Sequence, residues 1–264
     1  MTADLSPSPY DLFARHYDAF TQYSDYEAWT TSMLELAANH GLSGTAQLDL
    51  ACGTGNSFLP FLRRGFTVTG CDSSRAMLAE AAAKAPGATL VHADLRELTM
   101  LGRFDLVTCF DDSLNYLRDE SELLAALGGI AANLARHGVA LFDLNTLCAY
   151  RTTFARDSVT ESDGVLFAWR GESSEDAAPG CLAAASIEVF APAGDDGLYE
   201  RVTARHEQRH FPVEAVTGLL HAAGLDCVAV HGVLADGSLV DTPDDERHLK
   251  TLFIAKKTRG GARP

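Results

Sequence analysis

The sequence is short of positive charge. Its 264 residues include 21 Lys and Arg against 36 Asp and Glu, a formal net charge of −15 at pH 7. A surface this acidic repels phosphate backbones, so neither DNA nor RNA is expected as a partner. Neutral or cationic small molecules remain. No apolar run reaches the length of a membrane span, and no membrane partner is expected. Met1 to Tyr10 (MTADLSPSPY) has neither a basic start nor an apolar stretch and does not read as a signal peptide. The cysteines at 52, 71, 109, 148, 181 and 227 form no C-x-x-C pair. That speaks against a zinc site or a disulfide framework, and no metal is expected. They read as small buried hydrophobes in a reducing compartment, so the expected location is cytoplasmic.

What is present is an alternation of elements. Tyr10, Phe13, Tyr17 and Phe20 recur at spacings of three and four, which predicts a helix, and a second runs from Tyr26 to about Asn39 before Gly41. Short apolar strands follow at Gln47–Cys52, Phe66–Cys71, Thr89–Ala93, Phe104–Phe110 and Val139–Leu144. Between them helices are expected at Ser57–Arg64, Ser74–Lys84 and Glu120–Arg136. This is the pattern of βαβ units and a parallel sheet, with the ligand crevice at the carboxyl ends of its first strands. From Arg151 to His210 the texture changes to strands at Val165–Arg170, Leu182–Phe190 and Tyr199–His210 with polar turns. A helix from Pro212 to Ala223 and strands at Leu225–His231 and Leu249–Ala255 resume the α/β pattern. The expected division is a helical lid at 1–40, a core at 41–150 and 211–257, an antiparallel β insertion at 151–210 over the site, and a disordered tail at 258–264.

The most informative stretch is Gln47-Leu48-Asp49-Leu50-Ala51-Cys52-Gly53-Thr54-Gly55-Asn56-Ser57. Glycine at the strand-to-helix turn lets the backbone approach a ligand and adopt positive φ. A dinucleotide fingerprint needs a third glycine at position 58, but Phe58 is there. Asp49 inside the first strand can accept from an amino group or orient the turn. Asp72, ending the second strand, can take both hydroxyls of an adenosine ribose. Asp94, ending the third, is placed for an adenine amino group. Three acids at successive strand ends describe one nucleoside site better than three unrelated caps.

LDLACGTG, the Asp72 strand end, HADL and FDLVTCFDDSLNYL resemble the class I S-adenosylmethionine-dependent methyltransferases. The resemblance covers roughly residues 8–256 and implies a doubly wound, Rossmann-like sheet of seven strands, the last antiparallel, with S-adenosylmethionine as cofactor. YDLFARHYDAF, DYEAW and HEQRHFP look like bacterial small-molecule enzymes, among them the amino-sugar N,N-dimethyltransferases and lincosamide N-methyltransferases of antibiotic pathways. By motif, the resemblance places Asp49, Ala51 and Gly53 at the methionine part of the cofactor. It places Asp72, Ser73 and Met77 at the ribose and adenine face, Asp94 and Leu95 at the adenine edge, and Phe110 beside the sulfonium. Tyr10, Tyr17 and Trp29 form the lid. Ala51 stands where many relatives have glycine.

The acceptor is weighed by what each candidate atom needs. An aromatic stripe suits a sulfonium cation, which assigns Tyr10 and Tyr17 to the site and Phe13 and Phe20 to the core. Tyr17, Asp111 and His206 are the expected catalytic residues. An amine needs its lone pair exposed, and Asp111 or Asp112 can bind its cationic form; the expected reaction is N-methylation of a small molecule. An oxygen acceptor needs a base, with His206 favoured over His16 and His210, and O-methylation is the alternative. Two further readings are a cofactor-binding protein without chemistry and an NAD-dependent dehydrogenase. The short-chain form of the latter needs a Tyr with Lys four residues on, and none of the seven tyrosines has one. The loop after the fourth strand lacks the Pro-Pro-Tyr of base-flipping enzymes. A homo-oligomer is compatible with the sequence.

Overall fold

In a computed structural model, the structure describes residues 9–194 and 196–258. The expected tail at 258–264 and the stretch before Pro9 lie outside it, apart from Thr258. The N-terminal segment begins with two 3-10 turns, then α1 (Tyr17–Phe20) and α2 (Tyr26–Asn39). The single helix expected over Tyr10–Phe20 is thus broken into short turns. Its acids are taken up elsewhere: Asp11 accepts from Ser74, and Asp18 accepts from Thr54, Asn56 and Lys84.

The core follows as β1 (Ala46–Leu50), α3 (Leu59–Arg63), β2 (Thr67–Asp72), α4 (Arg75–Lys84), β3 (Thr89–His92), β4 (Phe104–Cys109), α5 (Glu120–Asn133), β5 (Leu134–Asn145) and α6 (Leu147–Thr152). An insertion contributes β6 (Ser158–Ser162), β7 (Val165–Gly171), β8 (Leu182–Pro192) and β9 (Tyr199–Arg209). The chain closes with α7 (Val213–Ala222), β10 (Leu225–Val233), β11 (Leu239–Val240) and β12 (Lys250–Lys257). The large sheet runs β11-β10-β12-β5-β4-β1-β2-β3. The five strands from β3 to β5 are parallel, and β12 is antiparallel to both of its neighbours. The seven-stranded expectation is met, with the two-residue β11 added at the edge. Chain order reverses beside β1, which opens a crevice at that strand's carboxyl end.

Strands buried on both faces read as near-continuous apolar runs, as in Val139–Phe142 and Leu252–Ala255. On one face α5 and α7 cover Phe142 and Phe253, whose rings stack at 5.1 Å. On the other, Met33, Phe58 and Phe61 pack beneath Leu106 and Leu141. Helix α5 ends three residues earlier than its periodicity predicts. The Asn133 side chain accepts from Leu101 and Gly102 and donates to the carbonyls of Thr99 and of Gly129 in its own helix. Helix α3 starts at Leu59 and not at Ser57, whose hydroxyl bonds Asp49 instead of capping.

The insertion is a four-stranded antiparallel sheet, one strand more than expected. Strand β6 was hidden by its polar sequence, but the turn joining it to β7 is Asp163-Gly164, with φ of 50° and 76°. Asp-Gly with both φ values positive is a strong two-residue hairpin signal. The inner face, with Phe167, Ile187 and Val189, packs on Phe13 and Phe20 of the N-terminal segment. No helix among the described residues is long and apolar enough to cross a membrane.

Candidate active site

Two adjoining cavities lie over the carboxyl end of the parallel sheet. The first, of about 240 Å³, is the cleft the glycine turn borders. Gly53 and Gly55 have φ of +53° and +89°. A Cβ on Gly55 would fall 2.8 Å from the Phe58 ring, so the turn needs glycine there for both conformation and space. Ala51 also sits at positive φ, +51°. The left-handed region costs an L residue about 1–2 kcal/mol, which explains why glycine is common at this place in the motif.

Asp72 organises the cleft. One carboxylate oxygen accepts the N–H of Gly53 at 2.8 Å and the other accepts that of Ser74 at 2.8 Å. It thereby ties the turn to the N-cap of α4, where the Ser74 hydroxyl accepts from Met77. Burial raises its pKa above the ordinary carboxylate value, against the pull of the two N–H groups. Asp94 is held by Arg96, which donates to it from its backbone and its guanidinium. That pairing holds the Asp94 carboxyl below its usual range, with burial opposing. Ser73, Met77, Leu95 and Phe110 complete the expected set around this cleft, together with Ala51, Gly53, Tyr10, Tyr17 and Asp111.

Two expected contacts are not in the lining. Asp49 is 1% exposed and lies beneath the turn, where it accepts from Ser57 at 2.6 Å and from Thr108. Of its two readings, orienting the turn is the one the geometry matches; Ser57 reaches the cleft in its place. Burial pushes the Asp49 carboxyl up to about 7, with those two hydroxyls opposing. Trp29 stands behind Phe110, edge-on at 5.8 Å, and packs with the core helices. It lies outside the cleft lining.

The second cavity, of about 390 Å³, is bounded by the N-terminal segment, the insertion sheet and the loop after β4. Phe13 and Phe20, expected as core, pack on the insertion but also line this cavity. Tyr10, Tyr17, Tyr116 and Asp111 border both spaces. Across that shared wall runs a hydrogen-bonded chain. The hydroxyls of Tyr10 and Tyr116 meet at 2.7 Å, and the Tyr116 hydroxyl meets His206 Nδ1 at 2.8 Å. His206 is 3% exposed, and burial lowers its pKa to about 4, with the Asp112 charge opposing. It is a neutral imidazole at physiological pH. Of the other histidines considered, His16 bonds Arg15 on the surface and His210 is taken up by Gly180 and Asp245.

The floor of the second cavity carries the strongest charges. Asp111 and Asp112 both adopt positive φ, +57° and +51°. Their backbone N–H groups donate to Asp143 at 3.2 and 2.7 Å. Lys250, at the start of β12, faces all three acids at 3.5, 2.8 and 3.4 Å from Asp111, Asp112 and Asp143. Burial works against the Lys250 charge, but Asp112, Asp143 and Asp111 outweigh it and hold the ammonium protonated. Gln208 donates to Asp112 at 2.6 Å. Lys250, Tyr26, Tyr116 and Gln208 were not among the expected site residues. Tyr116 and Gln208 lie inside quoted stretches, FDDSLNYL and HEQRHFP, and Tyr26 at a predicted helix start; only Lys250 has no local signal.

A parallel sheet with a glycine turn, strand-end acids and a roofed second cavity can hold a nucleoside cofactor beside a second substrate. The comparisons agree. A family model described as a methyltransferase domain matches residues 48–138. A Geobacillus sp. (strain WCH70) chain classed as a methyltransferase is 31% identical over 260 residues, covering 94% of this chain and 99% of that one. A dTDP-3-amino-3,6-dideoxy-alpha-D-glucopyranose N,N-dimethyltransferase of Streptomyces fradiae is 34% identical over 119 residues, 45% of this chain and 47% of the relative. Among solved structures, an S-adenosylmethionine-dependent methyltransferase from Clostridium acetobutylicum ATCC 824 superposes with a TM-score of 0.78 at 25% identity. It covers 94% of this chain and 99% of that chain. The sugar N-methyltransferase KedS8 from Streptoalloteichus sp ATCC 53650 shares the fold, with a TM-score of 0.73 at 23% identity over 98% and 96% of the two chains. The chain belongs to the methyltransferase family and is an S-adenosylmethionine-dependent methyltransferase.

Proposed function

We propose that this enzyme methylates a nitrogen of a small molecule held in the aromatic cavity. S-adenosylmethionine, when bound, supplies a methyl group on an electrophilic sulfonium. Asp72 and Ser73 are assigned to its ribose, Met77, Asp94 and Leu95 to its adenine, and the Ala51–Gly53 turn with Ser57 to its amino-acid part. The glycine turn, with no side chain at Gly53, and the two strand-end carboxylates fit that shape and those donors. Tyr10, Tyr17 and Phe110 shield the reacting end. Residues 10–40 act as the lid, latched through Asp18 to the glycine turn and to Lys84 at the end of α4.

The observation that carries the nitrogen assignment is Asp111 on the wall common to both cavities, beside a neutral His206–Tyr116–Tyr10 chain. A carboxylate there attracts a protonated amine to the edge of the cofactor cleft. In-line transfer needs alignment more than acid or base, and alignment alone supplies about 7–11 kcal/mol. A histidine with a pKa near 4 is a weak base for an alcohol. Its better use is to orient Tyr116, whose hydroxyl can hydrogen-bond the amine, while the proton that the amine sheds goes to solvent. The amino-sugar N,N-dimethyltransferase relative supports this reading. The free cysteines support the cytoplasmic location.

The test is the pH dependence of turnover with matched amine and alcohol acceptors. With an amine, kcat/KM is expected to rise with the acceptor's own deprotonation and to keep its shape in His206→Gln. A rate limb that vanishes in His206→Gln, seen with the alcohol at equal or higher turnover, would establish oxygen transfer instead.

A further inference from the structure

We infer that the second cavity admits a compact organic ammonium and rejects nucleoside diphosphates, so the acceptor is not a nucleotide-linked sugar. This rests on the nitrogen reading above and goes beyond it by naming the class of acceptor. Diphosphates are recognised by arginine forks, lysines or helix N-termini. Among the described residues that line this cavity there is no arginine, and its one lysine is Lys250. That ammonium already faces three carboxylates within 3.5 Å, leaving two negative charges in excess at the floor. A diphosphate would enter against that excess, whereas a cation would complete it.

The walls agree with the floor. Phe13, Phe20, Phe167 and Trp169 border the space, and aromatic faces attract cations. Trp169 lies nearly parallel to the His206 ring at 5.9 Å. His206 is nine-tenths buried or more, and its Nδ1 is engaged by Tyr116, but its Nε2 makes no hydrogen bond among the described residues. A nitrogen on a ring that lines the cavity, with no partner in the protein, is open to a ligand group there. An open ring nitrogen, the carboxylates of Asp111 and Asp112 and a ring wall describe an amine on a compact, uncharged body.

The experiment is a calorimetric titration of the full chain saturated with S-adenosylhomocysteine, so that no turnover occurs. The probes are benzyltrimethylammonium, its neutral tert-butyl isostere, and thymidine diphosphate. The ammonium is expected to bind, the isostere to bind at least fivefold more weakly, and the diphosphate to give no saturable heat. In Asp111→Asn the ammonium should lose about fivefold in affinity, the scale of a half-exposed ion pair. Asparagine tolerates the positive φ at this position, so that variant keeps the loop. Binding of the diphosphate, equal binding of the isostere, or an unchanged ammonium affinity in Asp111→Asn would each overturn the inference. Ammonium binding together with exclusive transfer to alcohols in the kinetic test would overturn the nitrogen reading and leave this one standing.

Discussion

Replacing Asp72 by asparagine probes the cofactor cleft at its most connected residue. Its two oxygens each accept one backbone N–H at 2.8 Å, from Gly53 and from Ser74. A carboxylate offers about four acceptor positions, so two remain for ribose hydroxyls. An amide keeps one oxygen. Its NH₂ group must then face one of the two N–H donors, which leaves a partly buried donor unsatisfied at a cost of about 1–3 kcal/mol. The ribose loses an acceptor of charged type, about 1.5–3 kcal/mol. Asp72→Asn should therefore weaken S-adenosylhomocysteine binding about 10- to 150-fold by calorimetry, with a lower melting temperature. Asp49→Asn serves as the comparison. It lies beneath the turn and outside the lining, so its effect on affinity should be several-fold smaller. A Kd for Asp72→Asn within twofold of the parent, on a folded protein, would refute this assignment of the ribose site.

Two further outcomes follow from backbone strain and buried charge. Ala51→Gly relieves an L residue at φ +51°; about 1–2 kcal/mol of strain is offset by about 0.5–1 kcal/mol of added unfolded-state entropy. The variant should melt no lower than the parent and gain up to about 1.5 kcal/mol; a lower melting temperature would mean the methyl group packs usefully. His206 has a folded-state pKa of about 4 against an ordinary value of 6.5. Between those pH values the unfolded chain takes up a proton that the folded one refuses, so stability from this residue is complete above 6.5 and falls as pH drops toward 4. At about 1.36 kcal/mol per pH unit the loss is about 3 kcal/mol. Denaturant melts of the parent and His206→Phe at pH 7.5 and 4.5 should show the parent losing more. Asp49 and Asp143, raised by burial, titrate in both proteins and largely cancel in that comparison. Equal losses would place His206 in a solvated setting.

Local chemistry made the cleft legible and left the acceptor cavity half-read. Asp72, Gly53 and Asp94 are positioned by strand ends, and strand ends can be read from apolar runs and glycines. Tyr10 and Tyr17 followed from spacing, although their segment is not the regular helix that spacing predicts. Asp49 and Trp29 show the limit. Each is one layer behind the surface it was assigned to, and a motif gives order along the chain but not depth. Lys250 marks a different limit. It meets Asp111, Asp112 and Asp143 because β12 inserts antiparallel beside β5, a pairing between residues more than a hundred positions apart. Strand β6 was readable after all, from Asp163-Gly164 and not from hydrophobicity, because its side chains are mostly exposed.

The central claim is the atom that receives the methyl group. Supplying S-adenosylmethionine labelled with carbon-13 in its methyl, with compact acceptors that carry both an amine and a hydroxyl, puts that claim to a single heteronuclear NMR spectrum of the product. The account predicts a labelled methyl bonded to nitrogen, with the hydroxyl untouched. A labelled methyl on oxygen, with the amine intact, would contradict it.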